Sequence, residues 1–360
     1  MTEEVPPPPA GSLIPLSLRL DHIAAMLNAE LIDHPVYDGF ELQWFDDDRH
    51  GTGMLAFLSR REDRRVDYYR QAGLTIDPSG YDIGGGTRSW SVIDFDSARL
   101  MVADDGVDAE VRFRDVDGRD VDIRVNDRDG RVRRRGGLLA PVGAAIEHPS
   151  SLLLVWMPVF DLVRHGDSAP LVEIDGIDAR TGALPGARLH RHHLIKYAAP
   201  VLALQVNPSS EAAAAPCDIE NVDDVLSIRT SDAGHEARLV LTPRLPNFAA
   251  DDIPESSGRW HVGIDGVRLT GGVWRCRGTH AGAQVMLDVD ERWRPGRLPW
   301  LMRAVTTVIP VFRRWPTTYR WVCDIRDPPA AVRGRWQRTG AGGAESYMRA
   351  TRWRRAEPLR

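Results

Sequence analysis

Lysine is nearly absent from this chain. Of its 46 basic residues only Lys196 is a lysine, a bias better explained by a GC-rich coding sequence than by one special amine. Cysteine is sparse too. Cys217, Cys276 and Cys323 are odd in number and lack CxxC spacing, so neither a disulfide framework nor a zinc site is expected. No run of about 18 apolar residues occurs, so no membrane-spanning helix is expected. The N-terminus holds four prolines, Pro6 to Pro9, with neither the basic stretch nor the apolar stretch of a secretory leader, and a cytoplasmic location is expected. No strong catalytic or metal motif stands out in the 360 residues, and no cofactor is expected.

What is present is ample apolar material, unevenly distributed charge and tryptophan. A chain that is 42% hydrophobic and 27% charged can bury two ordinary cores. The net charge of −5 hides a division: Glu291 to Arg360 carries 16 arginines against five acids, a surplus of +11, which leaves −16 for the first 290 residues. Eight of the eleven tryptophans lie from Trp260 onward. Arginine mixed with tryptophan suits a membrane headgroup layer, so a peripheral contact between the C-terminal region and an anionic membrane is one expectation. A solvated arginine face over a tryptophan-filled core is the other. Nucleic acid ranks below both, because the acidic first part would repel a long duplex.

Two segments recur in order. Ser97, Arg99, Val102 and Asp105-Gly106-Val107 match Ser257, Arg259, Val262 and Asp265-Gly266-Val267, and Met157 to Phe160 matches Ile309 to Phe312 around a shared Pro-Val-Phe. This argues for a duplicated domain. The expected organisation is a tail and short helix over 1–35, a first β-domain over 36–207, a linker over 208–216, a second β-domain over 217–340 and a basic tail over 341–360. The linker reading rests on a small, polar stretch with proline at each end, Asn207-Pro-Ser-Ser to Pro216.

Period-2 alternation dominates both parts. Ala109 to Val116 and Asp120 to Val125 alternate about Asp117-Gly118, a strong hairpin signal. Similar short strands are expected at Phe40–Phe45, Gly53–Leu58, Val66–Arg70, Leu152–Phe160, Val225–Arg229, Ala237–Leu241, Gln284–Val289 and Tyr319–Ile325. Helix is expected only near Leu18–Leu31 and, by the spacing of Leu298, Met302, Val305, Ile309 and Phe312, near the C-terminal end. The fold class is mainly β: two tandem antiparallel barrel or sandwich domains with little helix. The Asp-Gly pairs at 105 and 265 read as turns that need positive φ.

Gly39-Phe40-Glu41, Trp44-Phe45-Asp46, Arg49-His50-Gly51 and Leu55-Ala56-Phe57, with Tyr68-Tyr69 one strand later, resemble the opening of the carotenoid 1,2-hydratase family. The resemblance covers residues 39–69 and implies tandem lipocalin-like domains, an apolar ligand, and an acid at Glu41. Glu41 alternates with Leu42 and Trp44, so its carboxyl projects either into a cavity or into water. In an apolar pocket such a group could protonate an alkene. His190 and His192 would share one face of a strand and are candidate metal ligands, although no third ligand is visible and no metal is expected. An exposed basic strand is the alternative.

Three functional readings follow. The first is binding of a hydrophobic small molecule, a lipid or isoprenoid, in an apolar β-barrel cavity lined by Trp44, Phe57, Tyr68, Trp90 and Trp156. The second is an acid-catalysed isoprenoid- or lipid-modifying enzyme of hydratase, cyclase or isomerase type, with Glu41 as its acid. The third is a β-sandwich interaction module.

Overall fold

The computed structural model describes residues 14–63, 65–78, 81, 88–144, 146–164, 170–182, 195–208, 217–248, 250, 252–279, 282–296, 298, 300–326 and 333–339. The expected linker beyond residue 208, both terminal tails except residues 14–17, and His190 and His192 lie outside them.

The chain is mainly β and forms three sheets. The first has eight strands in the order β5 (Arg88–Ile93), β4 (Val66–Gln71), β3 (Gly51–Arg60), β2 (Tyr37–Asp47), β1 (Leu18–Glu30), β13 (Ile195–Val206), β10 (Leu152–Phe160) and β9 (Gly136–Ala140). The second runs β12 (Ile177–Asp178), β11 (Leu171–Ile174), β8 (Asp120–Asn126), β7 (Gly106–Arg114) and β6 (Phe95–Ala103). The third is a meander of β14 (Asp218–Val222), β15 (Val225–Asp232), β16 (His235–Thr242), β17 (Ser256–Ile264), β18 (Val267–Thr279), β19 (Gly282–Glu291), β20 (Tyr319–Arg326) and β21 (Arg333–Arg338). Among the described residues the only helices are α1 (Trp300–Val308) and α2 (Pro310–Arg314), where helical spacing predicts them.

Neither eight-stranded sheet closes, because its two edge strands do not pair with each other, so the expected barrel is not found. The sheets are also not wholly antiparallel. β4 and β5 pair in parallel, which the long connection from residue 72 to 87 permits and a tight turn would not.

The helix expected near Leu18–Leu31 is instead strand β1. Its apolar residues fit a helical pattern because both faces are covered, which erases the alternation of a half-exposed strand. Leu27, Ala29 and Leu31 face the core shared with the second sheet, together with Phe40, Leu42, Val111, Phe113 and Ile123. Leu18, Leu20, Ile23 and Met26 belong to the other core. A bulge between Ile23 and Met26, opposite β13, shifts the pattern midway.

The two Asp-Gly pairs both sit at hairpin turns but for different reasons. Asp265 and Gly266 have φ of 48° and 76°, the left-handed pair that a two-residue turn requires. In the first hairpin the paired residues Ala103 and Gly106 enclose Asp104-Asp105, so the turn falls one residue earlier. Gly106 has φ 149°, and a Cβ there would lie 2.6 Å from Asp127 Oδ1 and 2.7 Å from Arg133 Nη2. The two Pro-Val-Phe segments differ outright: residues 157–160 lie in β10, whereas residues 309–312 bend into α2.

The second core runs from the free face of the first sheet into one face of the third. It joins Leu18, Leu204 and Trp156 to Trp260, Trp274, Trp321 and Trp336. Trp336 Nε1 donates to Val206 O at 2.8 Å, Tyr319 Oη donates to Gly143 O at 2.8 Å, and Trp156 meets Trp293 edge-on with ring centroids 6.0 Å apart. At the start of β1 the His22 amide donates to Asp232 Oδ2 at 2.9 Å. The His22 ring lies 5.3 Å from that of His235, whose Nδ1 is 2.7 Å from Asp265 Oδ2.

Burial first, and then the neighbouring His235, holds the His22 imidazole below its ordinary value of 6.5; Asp232, Asp47 and His50 contribute smaller opposing or additive effects. The folded protein therefore binds the His22 proton less readily than the unfolded chain. Stability from this group is present above the unfolded value and lost as pH falls, the direction in which the unfolded state takes up the extra proton. Urea denaturation at descending pH should show stability falling below about 6.5, and His22→Gln should flatten part of that slope. An unchanged slope would show that the His22 ring is solvated.

A buried carboxylate beside an aromatic row

Alternation along β2 sets Glu41, Gln43 and Phe45 on one face and Phe40, Leu42 and Trp44 on the other. The second face is sealed by the second sheet. On the first, strand register builds a row of directly opposed residues: Asn28 faces Glu41, Glu41 faces Phe57, Phe57 faces Tyr68, and Tyr68 faces Trp90. Five strands spaced about 4.8 Å apart make that row about 19 Å long.

Its polar end is internally bonded. Glu41 is only 8% exposed, and a carboxylate that far from water needs donors. Asn28 Nδ2 donates to Glu41 Oε2 at 2.7 Å, and Gln43 Nε2 donates to Glu41 Oε1. Tyr81 Oη in turn donates to Gln43 Oε1. Burial, and secondarily the Glu41 charge, push the Tyr81 phenol well above its ordinary value, so it stays a donor at neutral pH. Tyr81, Gln43 and Glu41 thus form a chain that ends on a carboxylate, with Asn28 as a second donor.

Its other end is aromatic. Tyr68 stacks on Trp90 with centroids 4.3 Å apart and planes 10° from parallel, and Phe57 lies 4.9 Å from Tyr68. Tyr81 closes the group, edge-on to Tyr68 at 6.1 Å and to Trp90 at 5.7 Å. Tyr68 is fully buried, whereas Trp90, on the edge strand β5, is partly exposed.

Of the residues expected at a site, the structure gathers Glu41, Phe57, Tyr68 and Trp90 on one face. Trp44 lies on the opposite face, packed against the core between the first and second sheets. Trp156 stands two strands beyond β1, over Gly137 and against Trp293 at the seam with the third sheet. Among the described residues no group of three or more His, Cys, Asp or Glu side chains is arranged to hold a metal. A cleft of about 680 Å³ opens on the third sheet between Arg268, Thr270, Glu291, Arg292, Trp293 and Arg294; none of the expected residues lines it.

Sequence reasoning missed Asn28 and Tyr81. Alternation places Gln43 with Glu41, but Asn28 is hidden by the helical spacing of its strand, and Tyr81 reaches the cluster from outside the named strands, where no periodicity marks it.

Gln43→Leu would strip a donor from Glu41 and the acceptor from Tyr81. Chemical denaturation should show a loss of about 2 kcal/mol, as for a buried phenol left without an acceptor and a buried carboxylate that loses one of its donors. Equal stability would mean that water already serves both groups. No family model matches the chain, and no curated protein or solved structure matches it.

Proposed function

We propose that this protein binds a hydrophobic small molecule, a lipid or an isoprenoid, along the Phe57, Tyr68 and Trp90 row, with a hydroxyl head group donating to Glu41. The observation that carries the reading is the juxtaposition itself: a carboxylate 8% exposed, set beside a stacked aromatic row that ends at a partly exposed tryptophan. Such sites orient an apolar body through a few placed polar groups. The resemblance of residues 39–69 to the carotenoid 1,2-hydratases supports an isoprenoid as the ligand class.

Binding is favoured over acid catalysis by the hydrogen bonds at Glu41. A general acid must hold a proton and aim it at the substrate. Here both oxygens accept from side-chain amides, the arrangement that suits an ionised carboxylate. The non-catalytic reading is therefore the conclusion.

Retinol, an apolar polyene with a terminal hydroxyl, is a suitable probe. Its fluorescence should rise saturably on binding. Trp90→Ala should weaken the affinity about tenfold, equivalent to about 1.4 kcal/mol. Trp44→Ala, on the sealed face, should leave it unchanged. No saturable binding, or equal losses in the two variants, would refute the site.

A further inference from the structure

The segment from Arg292 to Arg314 contains six arginines and no acidic residue, and its later part forms the helices α1 and α2. Helix α1 has an inner and an outer face. Met302 and Thr306 are buried, and Val305 packs against the core beside them. On the outer face Trp300, Ala304 and Val308 follow one another at intervals of four residues, all exposed. Arg303 and Thr307 flank that stripe. On either side of Pro310, Ile309 and Val311 are also exposed, with Arg313 and Arg314 in the last turn of α2.

The exposures are extreme for these residue types. Trp300 is 72% and Val308 73% exposed. Trp300 is the only exposed tryptophan among the described residues; seven others are at most 8% exposed, and Trp44 and Trp90 are partly buried. An exposed apolar stripe flanked by arginine and threonine fits a docking face. The exposed Arg292 and Arg294 lead into it and line the neighbouring cleft. Neither helix is long or apolar enough to cross a membrane.

We propose that this helical pair is the element by which the protein docks on an anionic lipid bilayer, with α1 lying in the plane of the interface. Trp300 and Val308 enter the headgroup layer, while Arg303, Arg313 and Arg314 meet lipid phosphates and carboxylates. The charge decides between occupants. A second copy of the chain would bring the same unpaired arginines face to face, and the six-to-none ratio of Arg292–Arg314 is complementary only to a negative surface. The inference stands independently of any ligand at Glu41.

Co-sedimentation of the full chain with vesicles of phosphatidylcholine alone and of phosphatidylcholine with phosphatidylserine tests it. Binding should favour the phosphatidylserine vesicles and fall sharply when salt is raised to about 1 M, where the screening length is about 3 Å. Each of Arg303→Gln, Arg313→Gln and Arg314→Gln should weaken binding about fivefold. Trp300→Ser with Val308→Ser should abolish the part of binding that survives high salt. These residues are exposed, so the variants should keep their circular dichroism. The proposal is overturned if the wild-type chain ignores anionic vesicles at low salt, or if the variants bind as well as the wild type. It is equally overturned if sedimentation velocity shows a dimer that Trp300→Ser with Val308→Ser dissolves.

Discussion

The pairing of β1 with β13 is the constraint on which the rest of the molecule depends. It joins Leu18 to Val206 and continues to Ala29 and Ile195, running nearly the whole length of both strands. Both strands lie at the middle of an eight-stranded sheet. Without β1, Glu41 would lose Asn28. The third sheet would lose the contacts of its β15–β16 turn with His22. Contacts this distant in sequence are slow to form, because loop closure must precede any reward from packing. Once made, they fix the candidate site and the seam together.

The energetics of Glu41 point in the same direction as its geometry. Removing a carboxylate from water costs several kcal/mol, and each hydrogen bond to a charged group returns about 1.5–3 kcal/mol. Donors such as Asn28 and Gln43 therefore roughly offset the cost without making the position a source of stability. The apolar row beside it could have been completed by leucine at no such cost. A fold that carries a break-even polar cluster inside an otherwise apolar face has placed it where function is expected.

Much of the fold was legible where one face of a strand is wet. Alternation locates β7, β8, β16 and β20, since their polar residues mark the outer face. It fails where both faces are covered, as in β1, and where glycine sits within a strand. One such strand is β18, which holds Gly271-Gly272 and was not among the expected strands. The structure needs glycine there because a Cβ on Gly272 would fall 1.7 Å from Asp288 O. The paired Pro-Val-Phe motifs show the limit of local identity, since one is held in a sheet and the other opens a helix. At the site, Glu41, Phe57, Tyr68 and Trp90 were legible as strand residues of suitable chemistry. Their meeting depends on the register of three strand pairs, which no single segment encodes.

The most direct test of the central claim, that the aromatic row and Glu41 hold an apolar molecule, is native mass spectrometry of the protein purified from its own host. The account predicts a mass above that of the polypeptide, removed by organic extraction and missing from a Glu41→Leu, Trp90→Ala variant that still folds. A wild-type mass equal to the bare chain, or an excess mass that the variant retains, would contradict it.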